Sequence, residues 1–230
     1  MSGLGSPRFV ARQSRVPSHF PIAKGHILVQ SKSQVKSDPR QVEGLYTDVE
    51  WGLAQGLSER DLIPMLQRLA KAAAPESEYS VYAQRNLAEL LVRRSPFRAA
   101  RLARGVLRTR EDDRAHAVLG LAHLLMGNYR SAEKAYRAAL RLVPHCPWYA
   151  HNLGHLLDVA LGRPAEAIAH LRLALRALPH EPEIASSLSH ALLGAGQASE
   201  AQAVLVKAGE SPEAALQMLE AWKTSWAANP

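Results

Sequence analysis

An all-α solenoid of stacked antiparallel helix pairs is the fold class this chain predicts, and three observations carry the prediction. The first is a repeat of 34 or 35 residues: Leu119-Gly120 returns as Leu153-Gly154 and as Leu188-Ser189, Ala132 as Ala167 and Ala201, and Tyr136 as Leu171 and Leu205. The second is punctuation in the same register, with Gly127 recurring as Gly162 and Gly196 and Pro144 as Pro179. The third is small residues two turns apart on one face, as Ala132 with Ala139, Ala167 with Ala174 and Ala201 with Ala208. A period of this length marks units that bury their apolar faces only against their neighbours.

The elements follow in order. Residues 1–37 hold Arg8, Arg12, Arg15, Lys24, Lys32 and Lys36 without one acid, and they lack a helical apolar period. They read as a basic, mostly disordered arm, with His26-Ile27-Leu28-Val29 as a candidate strand or docking segment. Ser37 or Asp38 can cap a helix opened by Pro39, with Val42, Leu45, Tyr46, Val49 and Leu53 on its apolar face and Gly56 at its end. Asp61 is expected to cap the next helix, because Pro64 would then fall in the first turn. These two helices form an N-terminal pair over 38–76. The units expected after it are 77–112, 113–146, 147–181 and a degenerate 182–209, followed by a closing helix in 210–230 from Ser211-Pro212. Turns as short as Gly127-Asn128 and Gly162-Arg163 force neighbouring helices antiparallel.

Small residues explain the spacing. A glycine inside a helix costs about 1 kcal/mol against alanine. Gly120 and Gly154 recover that cost if the partner helix lies nearly against the backbone. Large apolar residues such as Leu119, Tyr136, Leu153, Leu171 and Leu188 then fill the space between helices.

Charge and cysteine usage narrow the function classes. The net charge of +7 is concentrated in the arm, which carries +6, while the remainder holds 22 basic and 21 acidic side chains. The repeats therefore read as nearly neutral and without a basic stripe. Cys146 is the only cysteine, so an intrachain disulfide is impossible and a reducing, cytoplasmic setting is expected. No run of about 18 apolar residues predicts a membrane span, and no leader for secretion is read at the N-terminus.

The repeated residues resemble the tetratricopeptide repeat family. Asp113–Cys146 matches through Leu119, Gly120, Gly127, Tyr129, Ala132, Tyr136, Ala139 and Pro144. Pro147–Glu181 matches through Leu153, Gly154, Gly162, Ala167, Leu171, Ala174 and Pro179, with one extra residue between Gly154 and Gly162. Tyr82 to Leu91 lines up with Trp148 to Leu157, giving a diverged copy upstream. The family's tryptophan is replaced by His116 and Ala150. The resemblance implies a right-handed superhelix and a scaffold or adaptor that binds a protein or peptide partner in the concave groove lined by first helices. The groove residues it implies are Tyr82, Arg85, Asn86, Glu89, Arg114, Leu121, Trp148, His151, Asn152, His155 and His190. Tyr82, Arg85, Arg114 and Trp148 are the preferred anchors, although Tyr82 and Trp148 could equally seal adjacent repeats. Glu89 and Val118 stand where members that clamp a C-terminal carboxylate would want asparagine, which argues against such a clamp.

Other chemistry is weaker. His151 and His155 have the i, i+4 spacing of two metal ligands, but Asn152 stands where a catalytic zinc helix carries glutamate. Gly194-Ala195-Gly196 coincides with the repeat's own turn, and no phosphate loop or nucleophile elbow appears. Cys146 is expected to be passive. No catalytic residue, cofactor or metal is expected. Trp222 and Trp226, with Leu216 and Leu219, form a stripe that caps the solenoid or serves self-association. The rival reading is nucleic-acid binding through residues 1–37, with the solenoid positioning the arm.

Overall fold

Asp38 opens the described part of the chain: its carboxylate accepts from the Arg40 N–H at 3.0 Å, and Pro39 occupies the first helical position. The computed structural model describes residues 38–228, so the arm and its candidate strand lie outside the described residues. Eleven α-helices follow, without a strand among the described residues: α1 (Pro39–Ala54), α2 (Glu59–Ala72), α3 (Glu78–Leu91), α4 (Pro96–Thr109), α5 (Asp113–Leu125), α6 (Tyr129–Leu142), α7 (Pro147–His155), α8 (Pro164–Ala177), α9 (Pro182–Gly194), α10 (Ala198–Lys207) and α11 (Pro212–Ala228).

The second helix starts earlier than its sequence suggests. Ser58, not Asp61, takes the cap position, its carbonyl receiving the Asp61 and Leu62 N–H groups. Asp61 sits in the first turn and accepts from the Ser58 hydroxyl at 2.6 Å. Pro64 consequently falls inside the helix, where it removes one backbone bond. The Ser58–Asp61 hydrogen bond and the burial of Leu62, Leu66 and Leu69 offset that loss.

Each helix packs chiefly on the next, so the chain forms a stack from α1 to α11. Glycine makes the closest crossings possible. A Cβ added at Gly120 would lie 2.5 Å from the ring of Tyr136, which is fully buried, and one at Gly154 would lie 2.6 Å from Leu171 Cγ. First helices of successive pairs also touch directly, α3 with α5 and α7 with α9. The stack therefore curves with α3, α5, α7 and α9 on its inner wall and α4, α6, α8 and α10 on its outer one.

The extra residue of the 147–181 segment has a definite home. After His155 the helix widens into a π-helical turn, Leu156–Ala160, in which Leu161 N–H donates to Leu156 O at 3.1 Å. An inserted residue thus leaves the flanking helices in register with their neighbours. It also redirects Asp158 inward. Such turns are rare and often accompany functional sites.

Candidate functional site

The inner wall is held together rung by rung. At the first rung, Arg85 on α3 meets Asp112 at 3.1 Å; Asp112 also caps α5 by accepting the Ala115 N–H at 2.8 Å. Arg114 grips Glu89 through both carboxylate oxygens, with its Nε at 2.6 Å, and approaches Asn86 Oδ1 at 3.4 Å. Burial works against the Arg114 charge, but the Glu89 carboxylate more than offsets it, so the guanidinium pKa stands above its ordinary value. Tyr82 donates to Glu50 on α1 and lies edge-on to Tyr46, 4.9 Å between ring centres. Burial and the Glu50 carboxylate both push its pKa up.

Further along, the Tyr149 hydroxyl donates to Asp113 at 2.7 Å, joining α7 to α5. His151 Nε2 lies 3.0 Å from Ser187 Oγ on α9, and the imidazole is 1% exposed. Burial, helped by neighbouring His155, pulls the His151 pKa down to about 4, so the ring is neutral at physiological pH. His155, half-buried, is lowered for the same principal reason. At the last rung, Asp158 from the π turn lies 2.6 Å from His190 Nδ1. The far side of His190 is covered by Trp222 and Trp226 of α11, with ring centres 5.2 and 4.9 Å away.

These placements revise the expected groove. Leu121 at 1% and His151 at 1% are core residues, and Asn152 at 5% and Asn86 at 8% are buried as well. They pack between helices because each inner helix is flanked by neighbours on three sides. Arg85, Glu89 and Arg114 are brought together, but with one another and with Asp112 rather than around an open site. Trp148, His155, Arg114 and Tyr82 retain accessible surface on this wall. Asp112, Asp113, Asp158 and Ser187 were missed as rung partners; of these only Asp112 carried a legible signal, an acid immediately before a helix.

The remaining candidates resolve simply. Among the described residues no three His, Cys, Asp or Glu side chains are placed to hold a metal. Cys146 occupies the cap position of α7, where burial raises its thiol pKa despite helpful backbone N–H groups. Leu219 is buried and Trp222 packs against the core, whereas Leu216 is exposed, so the expected stripe divides between two faces. No described helix is long and apolar enough to cross a membrane.

Comparison with known proteins finds the same repeat. The tetratricopeptide repeat pattern matches residues 158–223 and, in a second form, residues 113–146. Over these residues the chain carries tetratricopeptide repeats. Its fold is similar to solved structures of MamA. One, MamA MSR-1 C2, is 23% identical over 74% of this chain and 95% of its own, with a TM-score of 0.58. Another, MamA 41-end from Desulfovibrio magneticus RS-1, is 16% identical over 74% and 98%, with a TM-score of 0.62. A third MamA crystal structure is 20% identical over 79% and 93%, at 0.60. At these identities the likeness is one of fold. No curated protein sequence matches the chain. Tetratricopeptide repeats are in general a protein-interaction scaffold.

Proposed function

We propose that this chain is a non-catalytic scaffold or adaptor whose inner wall receives a segment of a protein partner. The repeat units of that scaffold are 77–112, 113–146, 147–181 and 182–209, extended by 38–76 and closed by 210–230. The observation that supports the reading best is the ladder of side-chain bonds joining α3, α5, α7 and α9. A wall tied at each rung is already ordered, so the receptor loses little entropy when a segment binds. Trp148 and His155, two turns apart on one face of α7, are the anchors. The exposed edge of Trp226, 37% accessible, is the part of the cap left for self-association. The single cysteine suits the cytoplasm.

The test is a combined Trp148→Ala and His155→Ala variant, used to recover partners from a lysate under conditions where helicity is unchanged. Partner recovery should fall at least about tenfold, as expected on removing an aromatic anchor. Recovery equal to that of the unmodified protein would remove this wall as the binding surface.

A further inference from the structure

The outer wall carries a feature that neither the repeat family nor the overall charge accounts for. Helix α4 contains four arginines, Arg98, Arg101, Arg104 and Arg108, and no acid. At 3.6 residues per turn these four and Phe97 fall within an arc of roughly 120°. All five side chains are exposed, Phe97 at 73%. The opposite face, Ala99, Ala100, Ala103 and Val106, is buried in the core. Neighbouring Arg94 and Arg110 are ion-paired, with Glu59 and Glu78. By contrast, none of the four stripe arginines forms an ion pair among the described residues.

We propose that this face of α4 binds the backbone of a single-stranded nucleic acid, with Phe97 stacking on a base. Three features select that ligand. Every cation is arginine, whose planar fork matches phosphate oxygens in a way that a lysine ammonium does not. The cations recur regularly along roughly 15 Å of helix, which suits a ligand whose charges also recur. The exposed aromatic lies within the charged arc, where an unpaired base can stack and a duplex base cannot. A lipid surface fits less well, because a helix that lies in a membrane inserts an apolar face, and the apolar face of α4 is already spent on the core.

The experiment uses the full chain, so that residues 1–37 contribute equally to every sample. Binding of fluorescein-labelled oligouridine of about 20 nucleotides is followed by anisotropy across a salt series. The unmodified protein is compared with a variant carrying Arg98→Gln, Arg101→Gln, Arg104→Gln and Arg108→Gln, and with Phe97→Ala. The four-site variant should bind at least about tenfold more weakly at moderate salt, with a log–log salt slope shallower by up to about 3. Phe97→Ala should bind about fivefold or more weakly with its slope unchanged. Equal affinity of the four-site variant and the parent would overturn the site. Undiminished binding by Phe97→Ala would reject stacking and the single-strand assignment with it. Loss of phosphatidylserine-vesicle binding by the four-site variant, with oligouridine binding retained, would transfer the face to a membrane.

Discussion

The two walls of this solenoid use the same kinds of side chain in opposite ways. On the inner wall, Arg85 and Arg114 are consumed by Asp112 and Glu89, the Tyr149 hydroxyl by Asp113 and His190 by Asp158. On the outer wall, α4 presents four arginines without an acid among its residues. Helix α6 is intermediate, since Arg137 is tied to Glu133 and Glu166 whereas Arg130, Lys134 and Arg141 stand exposed. An inner helix is flanked by its own partner and by the inner helices before and after it, so a charge there must find a mate within reach or pay desolvation. An outer helix keeps one face in water, where an unpaired arginine costs little. Charged residues on the inner wall therefore build the surface, whereas on the outer wall the α4 arginines remain available to a ligand even though Arg137 and Arg172 are paired.

The largest expected break in that contrast comes at Asp112. Asp112→Ala removes the cap of α5 and leaves the Arg85 guanidinium, whose side chain is 19% exposed, without its mate. Loss of a buried partner of this kind costs about 3–5 kcal/mol, to be read as a lower urea midpoint with an unchanged m-value.

Next in size is an acid effect confined to the inner wall. In the unfolded chain His151 titrates near its ordinary 6.5, and in the fold near 4. Between those values the unfolded chain binds a proton that the native state refuses, so stability is whole above pH 6.5 and falls as pH drops toward 4. The loss from this group reaches about 3 kcal/mol. His155, also lowered by burial, adds in the same direction. His151→Gln should flatten this acid limb, as followed by urea unfolding at a series of pH values.

The architecture was legible because its cause lies in residue size. Glycines at 120 and 154, alanines two turns apart and the turn glycines fix where helices cross and reverse, and the helices form accordingly. Local chemistry was less legible. Putting Pro64 in the first turn points to Asp61 as the start of α2, but Ser58, three residues earlier, captures the cap. The extra residue after Gly154 was visible, but an insertion can enter a loop or a helix, and sequence does not separate the two; here it becomes the π turn that aims Asp158 at His190.

Site residues were legible only in part. One position along a helix turns a side chain by about 100°, enough to move it from a groove into an interhelix seam. Leu121, His151 and Asn152 lie in the seam for that reason. The arginine stripe was concealed by addition. Acids spread over residues 38–230 cancel the cations of α4 in a sum, but they do not cancel them in space.

The most direct test of the contrast sets one inner charge against four outer ones in urea unfolding at neutral pH. Arg85→Gln should lower stability by at least about 2 kcal/mol, because Asp112, with a side chain 6% exposed, is left without its countercharge. The combined Arg98→Gln, Arg101→Gln, Arg104→Gln and Arg108→Gln variant should stay within about 1 kcal/mol of the parent, since glutamine matches arginine in helix propensity and no ion pair is broken. A four-site loss equal to or larger than the single inner one would contradict the division of labour between the walls.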